Sequence, residues 1–303
     1  MGPKSEAMRR KRSAAKEKVE WRAARVRDVL APIAARPVRG SKIGEGGYGR
    51  VYALDERLVV KVVPIPEQYR QGGLSATDLK NPFRELAIYR HTNRLVERGL
   101  TDHIALLAGA RRTRSEMRMY LERFDSSVHD WLKSRPSDGA LRSVVLQALH
   151  GYYVAQRELG LDQSDFNETN VLVKRTAVPR VWVWLVEGRE YSCESHGYLA
   201  CLADFGASEI EAIPRVPLAE RQEALRAHLG AMAPVTFIHE VLCLAIRCKV
   251  AGPFTEKLAR FLYDHVLYQR SDEAPPSTSI SLFWPTATRE PLSVARIFAL
   301  CAL

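Results

Sequence analysis

The sequence predicts an α+β protein with two structurally different parts. From residue 41 to about residue 121, short apolar runs alternate with glycine-rich or polar turns, a pattern typical of an antiparallel sheet. Beyond Ser126 the apolar residues recur with helical spacing instead. The chain has 303 residues, 46% hydrophobic and 26% charged, which indicates a soluble protein with a substantial core.

The first 40 residues form a basic arm in this interpretation, either helical or disordered. They hold 12 Lys or Arg against 4 Asp or Glu and so carry most of the formal net charge of +10. Residues 4–30 contain no glycine or proline, so a charged helix that need not pack tightly is expected. The basic run at 9–12 could bind a nucleic acid or an acidic surface, act as a nuclear address, or be a plain solvated helix face.

The first part of the domain is predicted to be a small sheet with one helix. Three antiparallel strands are expected between residues 41 and 63, and two further strands at 104–110 and 117–121. A helix is expected to begin at Pro82, because the first turn of a helix tolerates the missing N–H group of proline.

The second part is predicted to be mainly helical. Helices are expected at 128–133, at 141–159 and from Ala219 to the C-terminus, with a loop at 271–279. Two short apolar runs suit a buried hairpin. These runs are residues 171–173 and 199–203, and the insert between them spans about 174–198.

The segment from Gly44 to Val51 has the form G-x-G-x-x-G-x-V. Glycines allow a strand-turn-strand to bring backbone N–H groups against phosphate oxygens, although a hairpin without a ligand has the same form. A dinucleotide site would need a helix directly after the glycines, and a strand follows here. The candidate phosphate-binding residues are Ile43, Gly44, Glu45, Gly46, Gly47, Tyr48, Gly49 and Val51.

Lys61 lies in the middle of an otherwise apolar predicted strand. A buried ammonium group is costly unless it is paired, so Lys61 either lies on an exposed edge or has an anionic partner. Glu85 on the predicted helix is the candidate partner, and it would hold Lys61 towards the α- and β-phosphates of ATP.

Three further polar residues have a spacing suited to phosphate chemistry. Asp165 precedes Asn170 by five residues, between a long apolar helix and a strand. Asp165 can orient an attacking hydroxyl group or accept its proton, and the amide oxygen of Asn170 can bind a metal ion. Asp204 follows the next apolar run and begins an Asp-Phe-Gly tripeptide, which is either a magnesium ligand or a simple turn.

In their order along the chain, these motifs resemble those of the eukaryotic protein kinase family. The resemblance covers about residues 41–206 and implies a bilobal fold. The implied N-lobe, at about 41–121, holds the sheet and one helix, and the implied C-lobe, at about 125–303, is mainly helical.

The resemblance also assigns roles to individual residues. It implies a hinge at residues 119–124, with Leu121 as gatekeeper and Glu122 at the start of the adenine-binding backbone. The implied cofactors are ATP and Mg²⁺. The implied phosphotransfer residues are Lys61, Glu85 and Asp165 for catalysis, with Asn170 and Asp204 as magnesium ligands.

The sequence also departs from this family. Gln163 and Ser164 replace the His-Arg before the catalytic Asp, so control by loop phosphorylation is not expected. Asn167 replaces a lysine, which removes a positive charge near the transferred phosphate and predicts slow turnover or a substitute cation. The insert at 174–198 enlarges a normally short hairpin, and neither A-P-E nor D-x-W-x-x-G is found around the helix expected near Val235. This divergence is similar to that of kinases encoded by large DNA viruses.

The function that the resemblance implies is an ATP-dependent protein kinase acting on a Ser or Thr hydroxyl of a protein. Two other hypotheses remain open. The first is a pseudokinase that serves as a nucleotide-binding or interaction module, and the second is a kinase for a small molecule.

Further features of the sequence bear on location and redox state. No apolar run is long enough to span a membrane and no signal peptide is visible, so an intracellular protein is expected, cytoplasmic or nuclear and in a host cell if viral. The five cysteines lack metal-ligand spacing, so mostly buried, reduced thiols are expected rather than a disulfide or zinc framework.

Overall fold

The computed structural model describes residues 3–31, 40–46, 49–67, 81–213, 220–270, 283–288 and 292–302. The chain is a mixed α/β protein with a five-stranded antiparallel sheet. It divides into two compact units, the first ending at Arg123 and the second beginning at Phe124. Within the described residues, no helix is long and apolar enough to cross a membrane.

The first unit is built on the five-stranded sheet, in which the strand order is β1-β2-β3-β5-β4 and all neighbours are antiparallel. The three strands predicted between residues 41 and 63 are confirmed. The elements of this unit are α1 (Pro3–Val29), β1 (Lys42–Gly46), β2 (Gly49–Ala53), β3 (Leu58–Pro64), α2 (Pro82–Glu97), β4 (Leu107–Arg112) and β5 (Glu116–Glu122).

Helix α2 begins where the sequence predicted it. Asn81 is the N-cap and accepts a hydrogen bond from Phe83 N at 2.9 Å, and Pro82 occupies the first turn. Strand β4, by contrast, begins at Leu107 and not at Ile104. The carbonyl groups of Ile104 and Leu106 accept from the Arg25 side chain and Glu122 N, so this buried stretch forms no continuous ladder.

Helix α1 packs more tightly than its composition suggests. Arg25 is 6% exposed and Val29 is 3% exposed. The helix is part of the first unit, and its buried contacts come mainly from charged side chains instead of an apolar stripe. The sequence predicted a charged helix here without requiring it to pack, and the described part of α1 is a helix with buried contacts.

The second unit combines helices with short antiparallel pairs of strands. Its elements are β6 (Ser126–Ser127), α3 (Val128–Leu132), α4 (Asp138–Leu159), β7 (Asp162–Gln163), β8 (Val171–Arg175), β9 (Val181–Val186), β10 (Arg189–Glu194), β11 (Tyr198–Leu202), β12 (Ser208–Glu209), α5 (Glu220–Arg247), α6 (Pro253–His265), β13 (Val266–Arg270), β14 (Phe283–Thr288) and α7 (Val294–Ala302).

In the second unit, helix α4 packs against strand β11, which pairs with β8. Ser137 caps the start of α4 through Ala140 N, and Gly160 ends the helix at a positive φ of 61°, which glycine adopts without strain. Strands β8 and β11 pair from Val171 to Arg175, so the predicted buried hairpin is confirmed. The insert at 174–198 contains a hairpin of its own, β9–β10.

Two expectations for the C-terminal region were wrong. The chain after Ala219 is not helical throughout, because β13 and β14 pair as a hairpin between α6 and α7. Helix α5 begins at Glu220, so Val235 lies in its interior directly after Pro234. A proline is usual in the first turn of a helix, but Pro234 lies in the interior of α5 and does not mark its start. The loop expected at 271–279 lies outside the described residues.

The thiol side chains are mostly buried, as expected. Cys248 is partly exposed, and the buried cysteines are Cys193, Cys201, Cys243 and Cys301.

Candidate functional site

The glycine segment is an antiparallel hairpin in the first unit. Gly44 lies opposite Val51, Glu45 opposite Arg50 and Gly46 opposite Gly49. Gly47 and Tyr48, which the sequence also assigned to this segment, lie outside the described residues, and Ile43 is 51% exposed. The hairpin geometry alone does not separate a phosphate-binding loop from an unliganded turn.

The glycines of this hairpin differ in what a side chain would meet. A Cβ added at Gly49 would lie 2.6 Å from the carbonyl oxygen of Val62, whereas one at Gly44 would only reach Val51 Cβ at 3.9 Å. Close packing of β2 on β3 therefore requires glycine at position 49. The space at position 44 has no such packing explanation.

Glu45 is flanked by two cations on the same hairpin. Its carboxylate is hydrogen-bonded by Lys42 and lies 3.6 Å from Arg50 Nε. The hydrogen bond from Lys42 lowers the pKa of Glu45. Two cations surround one carboxylate in this exposed group, so its net charge is positive.

Lys61 lies on the central strand β3 and is buried. Its Nζ is 2.7 Å from Oε1 of Glu85 on α2, and the two side chains are 7% and 3% exposed. The alternative of an exposed edge lysine is therefore excluded, because β3 has neighbours on both sides. Removing one partner of such a buried pair lowers the free energy of unfolding by about 3–5 kcal/mol, because the other charge is left buried without its partner.

Glu122 is the last residue of strand β5, and its carboxylate is bound by Arg25, which the sequence did not indicate. Arg25 Nε donates to its Oε1 at 2.8 Å, and Arg25 Nη2 donates to its Oε2 at 2.6 Å. The backbone N–H of Glu122 donates to Leu106 O at 2.8 Å. Leu121, the residue assigned as gatekeeper, is 8% exposed.

In the second unit, Asp165 is held by two asparagine side chains. Asn167 Nδ2 donates to its Oδ1 at 2.6 Å, and Asn170 Nδ2 donates to its Oδ2 at 3.0 Å and to its carbonyl at 2.8 Å. The amide oxygen of Asn167 in turn accepts from the backbone N–H groups of Thr169 and Asn170. The loop therefore fixes the carboxylate of Asp165 through its own polar residues.

Asp204 is brought to the same place by the ladder of β8 and β11. Ala203 N donates to Asn170 O at 2.9 Å, so the residue before Asp204 is bonded to the proposed metal ligand Asn170. Asp204 has a positive φ of 54°, and its Oδ1 accepts from Gly206 N at 3.3 Å. Left-handed backbone at a non-glycine residue is uncommon and is concentrated at functional sites.

The charges of Asp165 and Asp204 influence each other. Burial raises the pKa of Asp165, and the negative charge of Asp204 raises it further, while hydrogen bonds from Asn170 and Asn167 act in the opposite direction. Two carboxylates whose charges repel each other in this way favour a neighbouring cation. Carboxylate and amide oxygens are ligands that Mg²⁺ accepts.

The residues around Asp204 could supply only some of the ligands of a magnesium ion. Among the described residues, no group of three His, Cys, Asp or Glu side chains is arranged to bind a metal. Mg²⁺ is commonly held by one or two carboxylates with phosphate oxygens and water. Asp204 and the amide oxygen of Asn170 could supply the protein ligands, and the phosphates would supply others.

Two further residues that the sequence did not assign hold this loop in place. Gln163, two residues before Asp165, donates from Nε2 to Ala203 O at 3.3 Å and to Asp204 O at 3.5 Å. Phe166 stacks between Tyr152 at 4.8 Å and Phe237 at 4.4 Å. The Gln163 amide therefore joins this loop to the backbone at residues 203–204, and the aromatic stack anchors the loop to α4 and α5.

Glu240 on α5 adds a carboxyl group near this loop. Burial, and then the neighbouring carboxylate of Glu168, raises the pKa of Glu240 to about 9, so it is protonated at neutral pH. Glu168 also lies 3.1 Å from His129 Nδ1. The sequence gave no signal for this pair, because a glutamate on a helix is commonplace.

Comparison of the sequence with protein-family models gave no match, and comparison with curated proteins gave none either. The case for a function therefore rests on the motif residues and on the geometry described above.

Proposed function

We propose that the protein is an ATP-dependent phosphotransferase with a bilobal, protein-kinase-like fold, and that it transfers the γ-phosphoryl group to a Ser or Thr hydroxyl. The observation that carries this proposal is the meeting of Asp165, Asn170 and Asp204 at one point of the second unit. A structural role would not require two interacting carboxylates and a metal-binding amide there. The buried Lys61–Glu85 pair supports the proposal from the first unit.

Each of these residues has a defined role in the proposed reaction. Asp165 orients the acceptor hydroxyl group and takes its proton, and its raised pKa suits a group that must accept one. Lys61, held by Glu85, steadies the α- and β-phosphates. Bound between Asn170, Asp204 and the phosphates, Mg²⁺ would neutralise negative charge on the nucleotide.

Asn167 makes slow turnover an expectation of this proposal. It places a neutral amide 2.6 Å from Asp165, where the family has a cationic lysine. Removing one electrostatic contact to a transition state can reduce the rate by about 10²-fold or more. A low kcat for the natural chain is therefore consistent with the proposed chemistry.

One observation favours a second candidate, a kinase-like enzyme with a small-molecule acceptor. The chain after Asp204 is tied back early, because β12 pairs with β7 and Glu211 N donates to Leu159 O at 2.9 Å. Only residues 212–219 then separate Glu211 from the start of α5. This leaves little chain for docking an extended peptide, so a compact acceptor is the alternative.

The test is phosphoryl transfer from γ-labelled ATP with Mg²⁺ to the protein itself, to basic and acidic protein acceptors, and to a panel of small hydroxyl compounds. We expect label on a protein acceptor with wild type and none with Asp165→Asn or Asp204→Asn. Asp130→Asn is the matched control, because Asp130 is an exposed aspartate of the same unit paired with Lys133.

The outcomes separate the candidates. Label only on a small compound would favour the second candidate. ATP binding without any transfer would favour a pseudokinase. Absence of ATP binding by a folded wild type would overturn the proposal.

A further inference from the structure

Arg25 on α1 is buried and bridges three places in the first unit. Its guanidinium donates to both carboxylate oxygens of Glu122, at 2.8 and 2.6 Å, and to Ile104 O at 2.8 Å. It also donates to Asp102 O. The side chains of Arg25 and Glu122 are 3% and 0% exposed.

The same carboxylate is tied to the neighbouring backbone. Glu122 Oε2 accepts from Leu106 N at 3.2 Å, and Glu122 N donates to Leu106 O at 2.8 Å. Arg25 therefore bonds a segment that is bonded in turn to the last residue of β5. Moving its guanidinium would disturb residues 102–106 and Glu122 together.

Helix α1 is also connected to Arg123, the residue after Glu122, through Arg57. Arg57 Nη1 donates to Asp28 O at 2.7 Å, and Arg57 O accepts from Arg123 N at 2.8 Å. The C-terminal half of α1 is thus connected to the backbone at both Glu122 and Arg123. These two residues are where the chain leaves the first unit.

Burial of an arginine is expensive unless its donors are used in a fixed geometry. The planar guanidinium can serve a carboxylate and two carbonyl groups at once, which the single ammonium of a lysine cannot reproduce. A helix packed only loosely on the surface would not bury an arginine in this way. The arrangement therefore indicates that Arg25 determines the backbone position at Glu122.

We propose that Arg25 is a positioning residue for nucleotide binding, which acts by fixing the backbone at Glu122 for contact with the adenine ring. The inference rests on the proposed function, which assigns this backbone to adenine. Within α1 it assigns this role to Arg25, which bonds Glu122, and not to Arg22. Arg25 itself does not touch the nucleotide in this proposal.

The experiment compares Arg25→Lys with Arg22→Lys in the full chain. Arg22 is the matched control, because it belongs to the same helix and forms a buried pair with Asp102, but has no described contact with Glu122. The measurements are the Kd of Mg-ATP, KM and kcat for the transferred label, and hydrogen exchange of the amides of Leu106, Glu122 and Arg123.

We expect Arg25→Lys to raise the Kd and KM for ATP about tenfold with little change in kcat, because a displaced binding group weakens ground-state and transition-state binding alike. The amides of Leu106 and Glu122 should exchange faster in this variant. Arg22→Lys should leave the Kd unchanged. If Arg25→Lys does not fold, Glu122→Gln is the second variant, because it keeps the size of the side chain and weakens the same contact.

Equal Kd values in Arg25→Lys and Arg22→Lys would overturn the inference, even if both variants are less stable than wild type. A wild type that binds no ATP would overturn the proposed function and the nucleotide part of this inference. In that case faster exchange at Glu122 in Arg25→Lys alone would still support the positioning of this backbone by Arg25. Unchanged exchange would overturn that as well.

Discussion

Two of the buried pairs of a cation and a carboxylate in the described part of the first unit differ in how visible they are in the sequence. Lys61 and Glu85 join β3 to α2 at 2.7 Å, and Arg25 and Glu122 join α1 to β5 at 2.6 Å. Lys61 stands out because its neighbours in the strand are apolar. Arg25 is one of many basic residues in a polar helix, so nothing in its neighbourhood marks it as buried.

The two pairs also differ in what else depends on them. Lys61 Nζ lies 2.7 Å from Glu85 Oε1, a contact between two side chains. Arg25 serves a carboxylate and two backbone carbonyl groups, and Glu122 also accepts from Leu106 N. Replacing Arg25 and Glu122 by apolar residues would leave backbone groups without these partners, so we expect such a replacement to restore less stability there than at Lys61 and Glu85.

The largest effect on stability is expected for Arg25→Met. It leaves the buried carboxylate of Glu122 and two carbonyl groups without their guanidinium donor, so a loss of about 5 kcal/mol in the free energy of unfolding is expected. The double variant Arg25→Met/Glu122→Leu should recover only part of this loss, because Leu106 N also loses its acceptor. Urea unfolding measures both values, and full recovery in the double variant would contradict the comparison.

A smaller loss is expected for Lys61→Met, about 3 kcal/mol, because one buried carboxylate loses its partner. The double variant Lys61→Met/Glu85→Leu should recover most of that stability, since apolar residues often replace a buried pair without cost. Phosphoryl transfer should remain absent in both variants. A double variant as unstable as the single one would show that the pair has further structural partners.

A third effect depends on pH and concerns Glu240 in the second unit. Its pKa is raised from an ordinary value near 4.5 to about 9, so between these values the folded protein keeps a proton that the unfolded chain has released. Stability should therefore fall as pH rises through this window, by at most about 1.4 kcal/mol per pH unit.

Glu240→Gln should remove that part of the slope, because an amide has no proton to lose. The measurement is urea unfolding at several pH values between the two pKa values. Glu97→Gln is the control, since Glu97 is an exposed glutamate of α2. An unchanged slope in Glu240→Gln would contradict the raised pKa.

The smallest effect is expected for Lys133→Ala, which removes an exposed pair with Asp130. The two side chains are 58% and 61% exposed, and such pairs contribute less than about 1 kcal/mol. Thermal unfolding should differ little from wild type, and added salt should reduce the difference further. A loss as large as that of Lys61→Met would remove burial as the explanation of the first two predictions.

Much of the fold could be predicted from the sequence where local signals are strong. The glycine cluster and the alternating runs indicated β1 to β3, and Pro82 marked the start of α2. The five-residue spacing of Asp165 and Asn170 also suggested that these two residues act together. These signals depend on residues near each other in the chain.

The rest depends on contacts between distant segments. The docking of α1 requires Arg25 to meet Glu122 across 97 positions, and no apolar stripe announces it. Gln163 looked like a missing histidine, yet it holds the backbone of Asp204 through its amide. The β13–β14 hairpin pairs strands across an intervening segment, so no turn motif close to either strand predicts it.

Two glycines of the β1–β2 hairpin, Gly44 and Gly49, would be under different selective constraints. Gly49 is required by the carbonyl group of Val62, 2.6 Å from the position of a Cβ, whatever the hairpin binds. A Cβ at Gly44 would lie 3.9 Å from Val51 Cβ, an ordinary contact distance, so packing between these two residues does not require glycine there. A lineage that lost nucleotide binding would keep glycine at position 49 and become free to replace it at position 44.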